Sequence, residues 1–255
     1  MGYIPEILSI IVGLVFGSFL NVVIYRIPRG LSILKPGSFC PNCNSPIKWY
    51  DNIPVLSFFL LRGKCRNCKK SISLRYPIVE ILTAIAFLLV YKKFYFSFQF
   101  FGSLIFALSL IALAFIDLEH KILPDKITLS GFIFFLFYSL SNPSRKIMDS
   151  IGGALIGAGS LLLIYLLYYF IRKEEGLGFG DIKMMLMIGA FLGTEKTFLT
   201  LIIASLLGSI VGLLIAIIMR KGMKYALPFG VFLSIGAFIS LLWGNEIISF
   251  YWRLG

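Results

Sequence analysis

Eight blocks of apolar residues, separated by short polar segments, dominate the chain. They run over roughly 4–25, 77–94, 98–116, 127–141, 150–171, 182–193, 197–219 and 227–248. A run of about 18 or more residues with few charges crosses a bilayer core as a helix. The pattern therefore predicts an all-α polytopic membrane protein of about eight transmembrane helices. The sixth block is short, which fits a tilted or partial span. The first block is long enough to span. Glu6 stands where a secretory signal would carry basic residues, and the positive charge follows at Arg26 and Arg29, so a cleavable signal peptide is not expected. Neither a solenoid repeat nor an appended soluble domain is expected.

Composition agrees. The chain is 58% hydrophobic and 14% charged, against roughly 45–50% and about 25% in soluble domains. The net charge of +12 would suggest nucleic acid on a soluble chain. Here Lys and Arg cluster between the apolar blocks, which is the positive-inside pattern with affinity for anionic lipid; membrane lipid, not nucleic acid, is the expected partner. Between the first two blocks stand Arg26, Arg29, Lys35, Lys48, Arg62, Lys64, Arg66, Lys69, Lys70 and Arg75 against the single acid Asp51. That segment is expected in the cytoplasm. Counting onward, the loops near 117–126, 172–181 and 220–226 are expected there too. Arg220, Lys221 and Lys224 agree, while Arg145 and Lys146 in the outward 142–149 loop dissent mildly.

All four cysteines lie in the basic loop, as Cys40-Pro-Asn-Cys43 and Cys65-Arg-Asn-Cys68. Two such pairs, about 20 residues apart, have the spacing of a structural four-thiolate Zn2+ site. The turn formers Pro41, Asn42, Asn44 and Pro46 suit a metal knuckle, and a reducing compartment disfavours disulfides. A closed four-cysteine site leaves no coordination position for catalysis. Free thiols or a redox pair is the alternative.

Two aspartates mark span ends. Asp117 closes the third block, in Ala-Phe-Ile-Asp117-Leu-Glu-His, and Asp181 opens the sixth, in Gly176-Leu-Gly178-Phe-Gly180-Asp181-Ile-Lys183. Ionisable groups at membrane depth are costly and mark functional candidates. By the orientation above, both sit at cytoplasmic helix ends and can meet. Two adjoining carboxylates share a proton, so one can act as general base on water while the other polarises a carbonyl. The bland alternatives are a solvated interfacial carboxylate for Asp117 and a helix N-cap for Asp181. Gly178 and Gly180 leave little bulk near Asp181, which suits close approach of an extended substrate strand.

At these residues the sequence resembles the type IV prepilin peptidases. Gly178-Phe179-Gly180-Asp181 fits the GxGD signature of intramembrane aspartyl proteases. Asp117 with Ile122-Leu123-Pro124-Asp125 resembles the family's other catalytic segment. Phe16 to Pro28, the double CxxC loop and Ser73 to Glu80 resemble its amino-terminal part. The resemblance implies a multi-pass protein of the bacterial inner membrane that cleaves the basic leader from prepilins and pseudopilins. It also implies S-adenosylmethionine-dependent methylation of the new amino terminus, associated with residues 1–76, with the protease in residues 77–255. No cofactor ligands can be named from the sequence, and it carries no signal for oligomeric state.

Glu174 and Glu175, with Glu119 and Asp125, place acid near the expected mouth of the site and would attract a basic leader; solvated loop charges are the competing reading. His120, the only histidine, reads as an interfacial loop residue, with a proton shuttle as alternative. Lys183 is expected to anchor its helix to headgroups. Asn21 and Glu80 are expected to bond between helices or line a methyl-transfer site, packing being the safer reading.

Overall fold

The computed structural model describes residues 3–141, 146–173, 178–219 and 227–254. Each predicted apolar block lies on a helix. In chain order these are α1 (Ile4–Arg26), a short α2 (Leu56–Leu60) inside the basic loop, α3 (Arg75–Phe94), α4 (Phe98–His120), α5 (Asp125–Ser141), α6 (Ile147–Arg172), α7 (Phe179–Leu192), α8 (Thr194–Met219) and α9 (Phe229–Leu254). Five of them, α1, α4, α6, α8 and α9, are long and apolar enough to cross a membrane. The chain is thus an all-helical, multi-pass membrane protein. Arg145, Glu174, Glu175, Gly176, Arg220, Lys221 and Lys224 lie outside the described residues.

The chain divides into two compact units, residues 1–112 and 113–255, with the boundary inside α4. In the first unit α1 packs along α3 through small residues. A Cβ on Gly13 would stand 2.7 Å from the Ala84 Cα, and one on Gly17 would stand 2.6 Å from the Glu80 Cα. Ser9, Gly13, Gly17 and Asn21, four apart on one face, are all buried. Small residues at this spacing let helix backbones approach closely where lipid supplies no hydrophobic drive between helices. Asn21 continues the stripe and donates from Nδ2 to the carbonyl of Tyr76 at 3.1 Å, which is the inter-helix bond expected of it.

In the second unit α7 is the centre and packs against α5, α6, α8 and α9. Met184, Met185, Met187, Ile188 and Ala190 are fully buried. Its 14 residues reach only about 21 Å at 1.5 Å per residue, so protein rather than lipid surrounds most of it. Unbranched methionines fill the gaps left by glycines on neighbouring helices: the Met187 sulfur lies over Gly131 and the Met185 methyl over Gly157. The turn from α7 to α8 is closed by Asp149, whose Oδ1 accepts from the Thr194 amide at 3.0 Å and hydroxyl at 2.7 Å.

Candidate active site and metal site

α4 runs one turn past the end of its apolar block, to His120. Asp117 therefore lies within the helix, and His120 closes the helix rather than sitting in a loop. His120 Nε2 is buried without a hydrogen-bond partner and stands 3.9 Å from Glu119. α7 starts after Gly178, which makes Asp181 its third residue and not its N-cap. The Asp181 carboxylate turns back toward the Gly178 amide, as an acid in the first helical turn can.

Asp117 is 5% exposed and Asp181 7%. They are near enough for the Asp117 charge to act on Asp181. Asp117 lies against the start of α9, where the amides of Gly230 and Val231 face its carboxylate. A helix start presents unpaired N–H groups and the positive end of its dipole, and so favours an anion there. Asp117 Oδ2 is nonetheless buried with no hydrogen-bond partner, an acceptor left open in a closed place. Leu123 ties the two sides together. Its side chain reaches to 3.0 Å of where a Gly180 Cβ would be and to 3.1 Å of the equivalent point on Gly230. The space that Gly180 leaves is thus filled by the chain's own Leu123.

The sequence reading missed three parts of this site. The α9 start was legible only as Pro228 just before the helix, a common N-terminal signal. Leu123 stood out only as part of the Ile122-Leu123-Pro124-Asp125 resemblance, with no sign of what it packs against. The third is the partner of Lys183, whose Nζ donates to both carboxylate oxygens of Asp125 at 2.8 and 2.9 Å, joining the second turn of α7 to the first of α5. Side-chain direction on a helix could show that Lys183 points away from Asp181, but not what it meets there.

The four cysteines converge, with their Sγ atoms all within 4.8 Å of one another and Cys40 to Cys68 at 3.9 Å. Zn–S bonds of about 2.3 Å in a tetrahedron require sulfurs about 3.8 Å apart, so the set fits Zn2+. Two turns of the same form hold it. The amides of Cys40 and Cys65 donate to the carbonyls of Ser45 and Lys70, and the amides of Asn44 and Lys69 donate back to the carbonyls of Cys40 and Cys65. Asn44 and Lys69 both take positive φ, at 55° and 59°. Outside these, Ile47 bonds to Ser38 and Ile72 to Gly63. Residues 38–47 and 63–72 thus repeat one knuckle. The Ser45 hydroxyl and amide pull the Cys43 thiol down to about 6, and the amides of Cys68 and Asn67 lower Cys65. Such bonds favour the thiolates that a metal needs. Arg26, at the end of α1, is buried beneath this lobe and donates to the carbonyls of Ser32 and Gly37, each at 2.9 Å. Glu80 holds the lobe's other edge; its Oε2 accepts from the Val55 amide at 2.7 Å.

Fold and site define a multi-pass membrane protein with two buried carboxylates at helix ends and a lobe built on four converging cysteines. Comparison with known proteins gives the family. Residues 11–94 match the bacterial peptidase A24 N-terminal domain and residues 104–213 match the type IV leader peptidase family. The chain is 36% identical to a prepilin leader peptidase/N-methyltransferase of Pseudomonas putida, over 95% of this chain and 92% of that protein. Proteins of the same name from Pseudomonas aeruginosa and Neisseria gonorrhoeae are 35% and 36% identical; the matches cover 95% and 91% of this chain and 92% and 88% of theirs. The chain belongs to the type IV leader peptidase family. No solved structure matches it.

Proposed function

We propose that this protein is a prepilin leader peptidase in which Asp117 and Asp181 carry the hydrolysis, and that it also methylates the amino terminus it exposes. The observation that carries the peptidase reading is the convergence of two buried carboxylates at the ends of α4 and α7, one of them with an open acceptor oxygen. The ionised member takes a proton from water, whose oxygen attacks the scissile carbonyl carbon. The protonated member donates a hydrogen bond to the carbonyl oxygen. When the tetrahedral intermediate collapses, the proton held by the pair goes to the leaving amine as the C–N bond breaks. The pair acts as a unit, so neither carboxylate is assigned one role.

Names of relatives support methyl transfer, for which S-adenosylmethionine would be the donor, with residues 1–76 as the associated region. The four cysteines would hold a structural Zn2+. The charge pattern supports eight spans with the cysteine lobe and the aspartates facing the cytoplasm of a bacterial inner membrane, where a prepilin or pseudopilin leader would be presented. Gly178 would keep the start of α7 low beside the substrate, Gly180 would admit Leu123 against α7, and Glu174 and Glu175 would attract the basic leader.

The test is leader release from a purified prepilin by the solubilised protein. Asp117→Asn or Asp181→Asn should lower the rate by at least ~100-fold in a protein that still elutes and melts like the wild type. Undiminished release from either variant would remove the pair mechanism. In the same assay, reversing Glu174 and Glu175 to Lys should raise KM for the basic-leader substrate and leave kcat in place.

A further inference from the structure

The short helix α2 presents three large apolar side chains to the outside. Leu56, Phe59 and Leu60 are 61%, 68% and 80% exposed, and their spacing of three and four puts them on one face. The opposite side is tied down. Ser57 is buried, donates to the Tyr50 carbonyl at 2.9 Å and accepts from the Ile53 amide at 3.1 Å, and Phe58 packs on Gly63. Exposure of the outer face is therefore built in and not a consequence of fraying.

The depth of α2 is fixed by Glu80. Its bond from the Val55 amide, the residue just before α2, is 2.7 Å long, and Ser18 of α1 bonds the same carboxylate. Glu80 lies five residues inside α3, or about 8 Å from its start, and Ser18 eight residues before the end of α1, or about 12 Å, at 1.5 Å per residue. The start of α2 is thus bonded to inner turns of α1 and α3 rather than to their ends. Exposed cations follow directly, at Arg62 and Lys64, with Lys48, Lys69 and Lys70 on the same lobe; the only acid of the segment, Asp51, is paired to Arg66 at 2.7 Å.

We propose that α2 is an interfacial anchor. Leu56, Phe59 and Leu60 insert at the boundary of headgroups and acyl chains, and the cations behind them bind the phosphates of anionic phospholipid. An amphipathic segment with an apolar face and a basic flank is the form that lies in a membrane interface, and each cation near an anionic surface strengthens the attachment. The anchor would hold the cysteine lobe down on the membrane. This does not depend on the peptidase reading.

The experiment uses the full chain in vesicles, with Trp49, Trp243 and Trp252 changed to Phe and Phe59→Trp as the single reporter. Retained zinc content serves as the check on folding of the lobe. Emission from position 59 should be blue-shifted and quenched by lipids brominated high on the acyl chain. Quenching should be stronger with phosphatidylglycerol than with phosphatidylcholine, and Arg62→Glu with Lys64→Glu should abolish that difference. Emission typical of water, without quenching, would overturn the proposal. Blue-shifted emission that no brominated lipid quenches would overturn it as well, because protein would then cover α2. Equal quenching in both lipids would overturn the anionic component.

Discussion

Gly230 is the residue that gives Asp117 its place. A Cβ there would stand 2.9 Å from Asp117 Oδ2 and 3.1 Å from Leu123, so any side chain must displace the carboxylate or the leucine that also packs at Gly180. Gly230→Ala is therefore expected to lower kcat of leader release by up to ~100-fold, the scale of a misplacement near 1 Å, with little change in melting temperature. A kcat equal to wild type would show that the carboxylate has room to move. At this scale the sequence was informative about identity and silent about surroundings. Asp117 and Asp181 stood out because charge is rare at the end of an apolar run. Nothing in the sequence showed that the α9 start meets Asp117 or that Leu123 packs on Gly180 and Gly230, because those contacts join residues about 60 to 110 positions apart.

Among the elements, α6 and α7 show how the aspartate is held. Gly153 and Gly189 face each other so closely that a Cβ on Gly153 would lie 2.5 Å from the Gly189 carbonyl oxygen. Backbone cannot yield as a flexible side chain can. Gly189→Val should destabilise the protein by at least about 1–3 kcal/mol, as overpacking does, and reduce leader release in parallel by moving α7; thermal unfolding in detergent would measure it. An unchanged midpoint would mean that the two helices separate freely. Hydropathy located α7 but not its setting. A buried helix at the centre of a bundle and a lipid-facing span are equally apolar, and only the packing of α7 against α5, α6, α8 and α9 separates them. In the basic loop the CxxC pairs marked the knuckles, but α2, at 5 residues, is too short to leave a periodic signal.

For the whole molecule, the cysteines and the aspartates fall in different compact units, residues 1–112 and 113–255. The two lesions should therefore separate. Stripping metal with a chelator should leave residues 38–72 open to proteolysis, as when a small metal site supplies its own folding energy, while leader release falls much less than in Asp181→Asn. Equal loss of both would show that cleavage needs the cysteine lobe in place. Sequence alone determined the membrane class, the positions of the helices, the four cysteines and the two carboxylates, because hydropathy, charge and CxxC spacing are local patterns. Only the tertiary structure decided which amides face Asp117, that Lys183 pairs with Asp125, that Arg26 and Glu80 hold the cysteine lobe, and that the lobe repeats one knuckle. Each of these joins residues that the chain does not place side by side, and depends on which groups the packed helices and turns bring within hydrogen-bond reach, which no local pattern records.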